Sequence, residues 1–302
     1  ITAASLTIGD ATAGAITVSA DVSPGSTGGT GVTTLNLVSG STVTATAGGI
    51  VETNLSITAA GAVTFSAAAT NITTLGVDTS TGNISFTDAD GFTVGTVGSV
   101  TGVDTAAGSV SLTATTGNIV VSNTAAANDI GATTGIALSA AADNASIAIQ
   151  AGADAEALSG AHSYTADDIE ITGTITATGQ TVTLASTTAG DAVDVGDPGG
   201  GGDNVADTLE LAGAEIQNIT AANLNIGGSS AGNMTVDGIT AANSDNISGT
   251  VTLTAGGNGS SMTFQNTAST FNALTANADD RLSVNIGITT DTGNLALDGD
   301  AD

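Results

Sequence analysis

The 302-residue chain sets 29 acidic residues against one basic residue, Arg281, for a formal charge of −28, with one histidine and no cysteine. A surface so charged repels phosphate backbones and anionic headgroups, which excludes nucleic-acid recognition. The absence of cysteine excludes disulfide staples and thiolate metal sites, and no run of eighteen apolar residues offers a helical membrane span.

Hydrophobic residues make up 40% of the chain but aromatics only 2%, so a core must be built from Ala, Val, Ile and Leu. From the N-terminus onward one short phrase recurs: a small residue, a glycine, a variable residue, then aliphatics alternating with hydroxyls. It reads AGAITV at 13–18, AGAVTF at 60–65, TGNISF at 81–86, AGSVSL at 107–112 and TGNIVV at 116–121. It returns as TGIAL at 134–138, AGNMTV at 231–236, SGTVTL at 248–253 and TGNLAL at 292–297. Alternation with a period of two puts successive side chains on opposite faces of a strand, and the leading glycine supplies a tight turn.

Two longer echoes set a period. GVDT recurs at 76 and 102, a spacing of 26, and ITAAN at 219 and 239, a spacing of 20. Repeats of this size predict short strands stacked rung upon rung. The expected fold is therefore an all-β, right-handed parallel β-helix (a β-solenoid), with Ser/Thr/Gly/Asn-rich coils of roughly 20–26 residues. Helix is not expected, because Thr, Ser, Gly and Asn dominate; the stretch 151–160 reads as a loop or a single turn. The acidic, glycine-rich segment 188–207 reads as a loop or linker. It separates a solenoid segment at 1–187 from another at 208–302, which continues the same stack or forms a second lobe. Both ends of the chain read as cuts in a longer polypeptide.

Few residues offer chemistry. His162 and Tyr164, in AHSYTADDIE, are expected to form a small contact surface, and no catalytic residue is assigned. Calcium is the expected cofactor, because it takes six to eight oxygen ligands and tolerates glycine-turned loops. The candidate ligands are Asp88 and Asp90 in DADG, Asp191, Asp194, Asp197, Asp203 and Asp207 in the acidic loop, and Asp298 and Asp300 near the C-terminus. None has the spacing of a twelve-residue calcium loop. Asparagines beside the turns, Asn83, Asn223 and Asn233 among them, are expected to bond the backbone at strand corners.

The phrases LELAGAEIQNITAANLNIGGSSAGNMTVDGI and STFNALTANADDRLSVNIGITTDTGNLALDGDAD resemble the repetitive bodies of filamentous-haemagglutinin-like and β-strand-repeat bacterial surface exoproteins, which are large adhesins. That resemblance implies a right-handed parallel β-helix shaft, exported and held at or shed from the cell surface.

The expected function is thus an extracellular structural module of an adhesin, biofilm-matrix fibre or cell-surface polymer, stabilised by calcium and without enzymatic activity. Self-association into filaments or layers is expected, with glycans or cell-surface molecules as further partners. Two alternatives stay open: a surface-layer protein, and a carbohydrate-binding or polysaccharide-active β-helix protein.

Overall fold

A computed structural model describes residues 4–23, 31–196 and 207–301. They divide into two compact units, one of residues 1–141 and 148–158, the other of residues 142–147 and 159–302.

The recurrent phrases fold as strands because each gives one row of aliphatics an inward face. In the first unit, Val43–Ala45, Val63–Phe65, Ile84–Asp88, Val110–Ala114 and Ile136–Ala140 pair in parallel, one after another. Two inward columns result: Val43, Val63, Ile84, Val110 and Ile136, and beside it Ala45, Phe65, Phe86, Leu112 and Leu138, all buried. The intervening Thr and Ser of these strands are only part-buried. Each such aliphatic contributes about 1.5–3 kcal/mol by leaving water. A second parallel ladder joins Ser5–Asp10, Thr34–Ser39, Val51–Ala59 and Asn71–Thr79, then Val103–Thr105, Ile130–Ala132 and Asp154–Ala157.

In the second unit, parallel pairing joins His162–Thr165, Thr174–Ala185, Ile219–Gly228, Val251–Ala255, Leu274–Ala278 and Leu295–Asp298. Beside it stands a five-stranded parallel sheet in the order Thr208–Leu211, Ala192–Gly196, Met234–Asp237, Ser261–Phe264, Arg281–Val284. Corner asparagines act as expected from their chemistry. Asn83 Oδ1 accepts the N–H of Ser109 at 3.1 Å, Asn223 Oδ1 that of Thr250 at 3.1 Å, and Asn233 Oδ1 that of Ser261 at 3.0 Å.

The expected simple right-handed β-helix of near-equal coils is corrected by this topology. Paired residues lie 20 apart at Thr34 and Asn54, 29 apart at Ser5 and Thr34, and 44 apart at Ile175 and Ile219. Strands change sheet: Ala192–Gly196 leaves the ladder that precedes it and pairs with Thr208–Leu211 only 16 residues on. Thr96–Val97 and Val100–Thr101 form an antiparallel hairpin. Two one-turn helices, Gly213–Gln217 and Ala241–Ser244, stand where no helix was expected, and the stretch read as a loop at 151–160 contains the strand Asp154–Ala157. Alternation identifies strands but is blind to how far the chain travels between rungs, so near-equal coils did not follow from it.

Candidate functional site: a hydroxyl between two buried carboxylates

A dense polar cluster is built where the strand Thr174–Ala185 ends and the chain turns toward Ala192–Gly196. Ser186 Oγ lies 2.7 Å from Asp191 Oδ2 and 3.0 Å from Asp167 Oδ1. Both carboxylates are buried, at 2% exposure for Asp167 and 6% for Asp191, while Ser186 is half-buried.

Asp167 is also held by the backbone N–H groups of Asn144, Thr187 and Thr188, at 2.8, 3.1 and 3.0 Å, and by Thr188 Oγ1 at 3.1 Å. Burial works to raise its proton affinity, but these donors outweigh burial and hold the carboxyl below the usual range. Asp191 moves the other way. Burial raises it, the Ser186 hydroxyl opposes, and repulsion from Asp167 and Asp207 adds to the rise. Two neighbouring carboxylates are thus driven apart, one fixed as the anion and the other made the better base.

The same turn supplies Ala189 and Gly190 to the wall of an open cavity of about 470 Å³. Ser229, Ser230, Asn233, Asn258 and Ser260 line the rest of its polar wall, with no charged or aromatic side chain among the described residues of the lining. Two backbone bonds tie the Asp191 corner to it: Gly190 N to Ser230 O at 2.8 Å and Gly232 N to Asp191 O at 2.7 Å.

Other acids are hydrogen-bonded within the fold. Asp88 is fully buried, accepts the N–H groups of Ile72 and Asp90 at 2.9 and 3.0 Å, and is pushed up to about 6 chiefly by burial. Asp129 and Asp154 exchange reciprocal N–H bonds at 2.8 and 3.1 Å. Asp237 takes the Asn266 amide at 2.7 Å and the Thr267 N–H at 2.8 Å. Glu215 reaches Ile171 N and Ala212 N, both at 2.8 Å.

The expected calcium ligands are dispersed. Asp90 is exposed and takes the Asn71 amide at 2.6 Å. Asp194 sits in a strand opposite Thr235 and Glu210, and is raised by burial, against a Thr235 hydrogen bond and with Glu210 adding to the rise. Asp207, Asp298 and Asp300 are exposed, and Asp197 and Asp203 lie outside the described residues. Among the described residues no three of His, Cys, Asp and Glu are grouped as a metal ion requires. His162 and Tyr164, expected on a contact surface, are both fully buried, with His162 Nδ1 3.1 Å from the Tyr164 hydroxyl.

Asp167 and Ser186 were missed by sequence reasoning. The available signal was the run STTAGD at 186–191, in which hydroxyls followed by glycine and aspartate favour a side-chain-bonded turn.

Compared with protein families, curated proteins and solved structures, the chain matches none. The resemblance to haemagglutinin-like surface exoproteins is accordingly withdrawn: unequal rung spacing, the change of sheet and the interposed helices are not the regular shaft it implies. The expected adhesin, biofilm-fibre or surface-polymer module is corrected with it. A fibre needs only repeated surfaces, whereas this chain concentrates a buried hydrogen-bonded polar cluster beside a cavity. The expectation that it is no enzyme falls on the same observation.

Proposed function

We propose that the chain is a hydrolase-type enzyme whose chemistry is carried by Ser186, Asp191 and Asp167. The observation that supports this most is a half-exposed hydroxyl held between two buried carboxylates of opposed proton affinity. Asp191, the better base, takes the Ser186 proton as the oxygen attacks an electrophilic carbonyl. Asp167 stays ionised and fixes the turn that aims the hydroxyl. Asp191 passes that proton to the alcohol oxygen as the ester C–O bond breaks. It then takes a proton from the water that attacks the acyl-Ser186 carbonyl and returns it to Ser186 Oγ as the acid is released. The uncharged lining of the neighbouring cavity favours a neutral, hydrogen-bonding substrate, since a −28 protein repels anions.

The cluster has a second, mechanical role: the donors converging on Asp167 clamp the corner between residues 144 and 188.

The test is turnover of a panel of neutral chromogenic esters by the wild-type chain, by Ser186→Ala and by Asp191→Asn. Wild-type turnover reduced at least about a hundredfold in both variants is expected. Absence of turnover, or turnover unchanged in the variants, would sink the catalytic reading and leave the clamp alone.

A further inference from the structure

The only histidine and the only tyrosine of the chain stand in two otherwise aliphatic columns. His162 is stacked on Val182, then Leu224, Val251 and Leu274; Tyr164 on Leu184, then Ile226, Leu253 and Ala276. All ten are buried in the core of the second unit. His162 Nε2 has no hydrogen-bond partner, and Nδ1 meets only the Tyr164 hydroxyl. A charged imidazolium carries a proton on each nitrogen, so one N–H would be buried with no acceptor. That is among the costlier arrangements a core can hold.

We propose that His162 and Tyr164 form an acid-triggered release built into the second unit: protonation of the imidazole expels the strand His162–Thr165 from the ladder.

Among the described residues, no opposite charge blunts the effect. On its own strand only Tyr164 titrates, and within the second unit the strand paired with it, Thr174–Ala185, carries no titratable residue. The Asp167 carboxylate is engaged with Asn144, Ser186 and Thr188. Burial alone acts on the ring, lowering it from the ordinary 6.5 to about 4. Because the folded value is depressed, the unfolded state binds the extra proton. Stability is complete above about pH 6.5 and falls as the pH drops toward 4, by up to about 300-fold in the folding constant. Tyr164, which burial pushes upward instead, stays neutral throughout.

The experiment follows the imidazole resonances and amide hydrogen exchange of residues 162–165 and 182–185 from pH 7.5 to 3.5, in the wild-type chain, His162→Leu and Tyr164→Phe. Expected are exchange protection in the wild type that falls about tenfold per pH unit below pH 6, and protection in His162→Leu that stays flat to pH 4.5. The wild-type ring titration is decisive even where His162→Leu does not fold. A ring that titrates near 6.5 with protection intact overturns the proposal. Equal loss of protection in wild type and His162→Leu overturns it too. Tyr164→Phe is expected to leave the acid response in place, because the hydroxyl does not neutralise the charge.

Discussion

At the scale of single residues, the fold depends on backbone positions that only glycine fills without strain. Gly196 ends a strand with φ +101°, and a Cβ there would overlap the carbonyl oxygen of Asp237 on the neighbouring strand. Gly196→Ala is therefore expected to destabilise the second unit by about 1–3 kcal/mol from backbone strain alone, before the overlap is counted. Urea unfolding followed by circular dichroism measures this, and an unchanged midpoint would show that the paired strands can separate there without loss. Gly196 lay within the stretch 188–207 read as a loop or linker, and the carbonyl that requires a glycine there lies 41 residues away and leaves no local trace. Asp167 and Ser186 were obscure for the same reason: their roles arise from a hydrogen bond across 19 residues of chain.

At the scale of elements, local pattern and tertiary context divide the work. Every phrase read as a strand, from AGAITV to TGNLAL, does contribute one, and the GVDT echo is a true register pair, Val77 on Val103 and Asp78 on Asp104. ITAAN shows where this stops. At 219–223 it lies in the strand Ile219–Gly228. At 239–243 the same five letters begin a helix, with Asn243 Oδ1 accepting the Thr240 N–H at 2.8 Å and hydroxyl at 2.7 Å. Identical residues take both forms because intrinsic preference spans under about 1 kcal/mol per residue and neighbours decide. The aromatic contacts of the first unit are an element-scale device as well. Phe65 stacks on Phe86 at 5.3 Å between ring centroids, and Phe86 meets Phe92 edge-on at 5.4 Å. Phe86→Ala is expected to cost about 3–5 kcal/mol and Phe86→Leu less than about 1.5 kcal/mol. Equal losses in denaturant titrations of the two variants would contradict that account.

At the scale of the whole molecule, self-repulsion of like charge opposes the folded state. With 29 acids and one base, carboxylates such as Asp88, Asp167 and Asp237 find hydroxyls, amides and backbone N–H groups as partners. Some stack directly on one another: Asp78 pairs with Asp104 in the first unit, and burial followed by repulsion from Asp78 raises Asp104. Like charges directly opposite in a ladder oppose pairing. Sodium chloride shortens the screening length from about 30 Å at 0.01 M to about 3 Å at 1 M. The urea midpoint is thus expected to rise with salt, and less steeply in Asp104→Asn. A midpoint independent of salt would mean that the acids are already neutralised within the fold. This level was the most legible in the sequence, since net charge needs no structure to be counted.

The 44-residue interval between Ile175 and Ile219 has a consequence for how such a chain changes over time. Pairing fixes the two strand ends and leaves the length between them free, and each doubling of a flexible connection costs only about 0.6 kcal/mol. Here the added length holds the turn with Ser186 and Asp191, the first two strands of a second sheet and a helix. New segments can therefore be inserted between rungs, and acquire chemistry there, while the ladder beneath keeps its register. Variation in length is expected to collect in these connections, and the strands that carry the inward columns are expected to resist it.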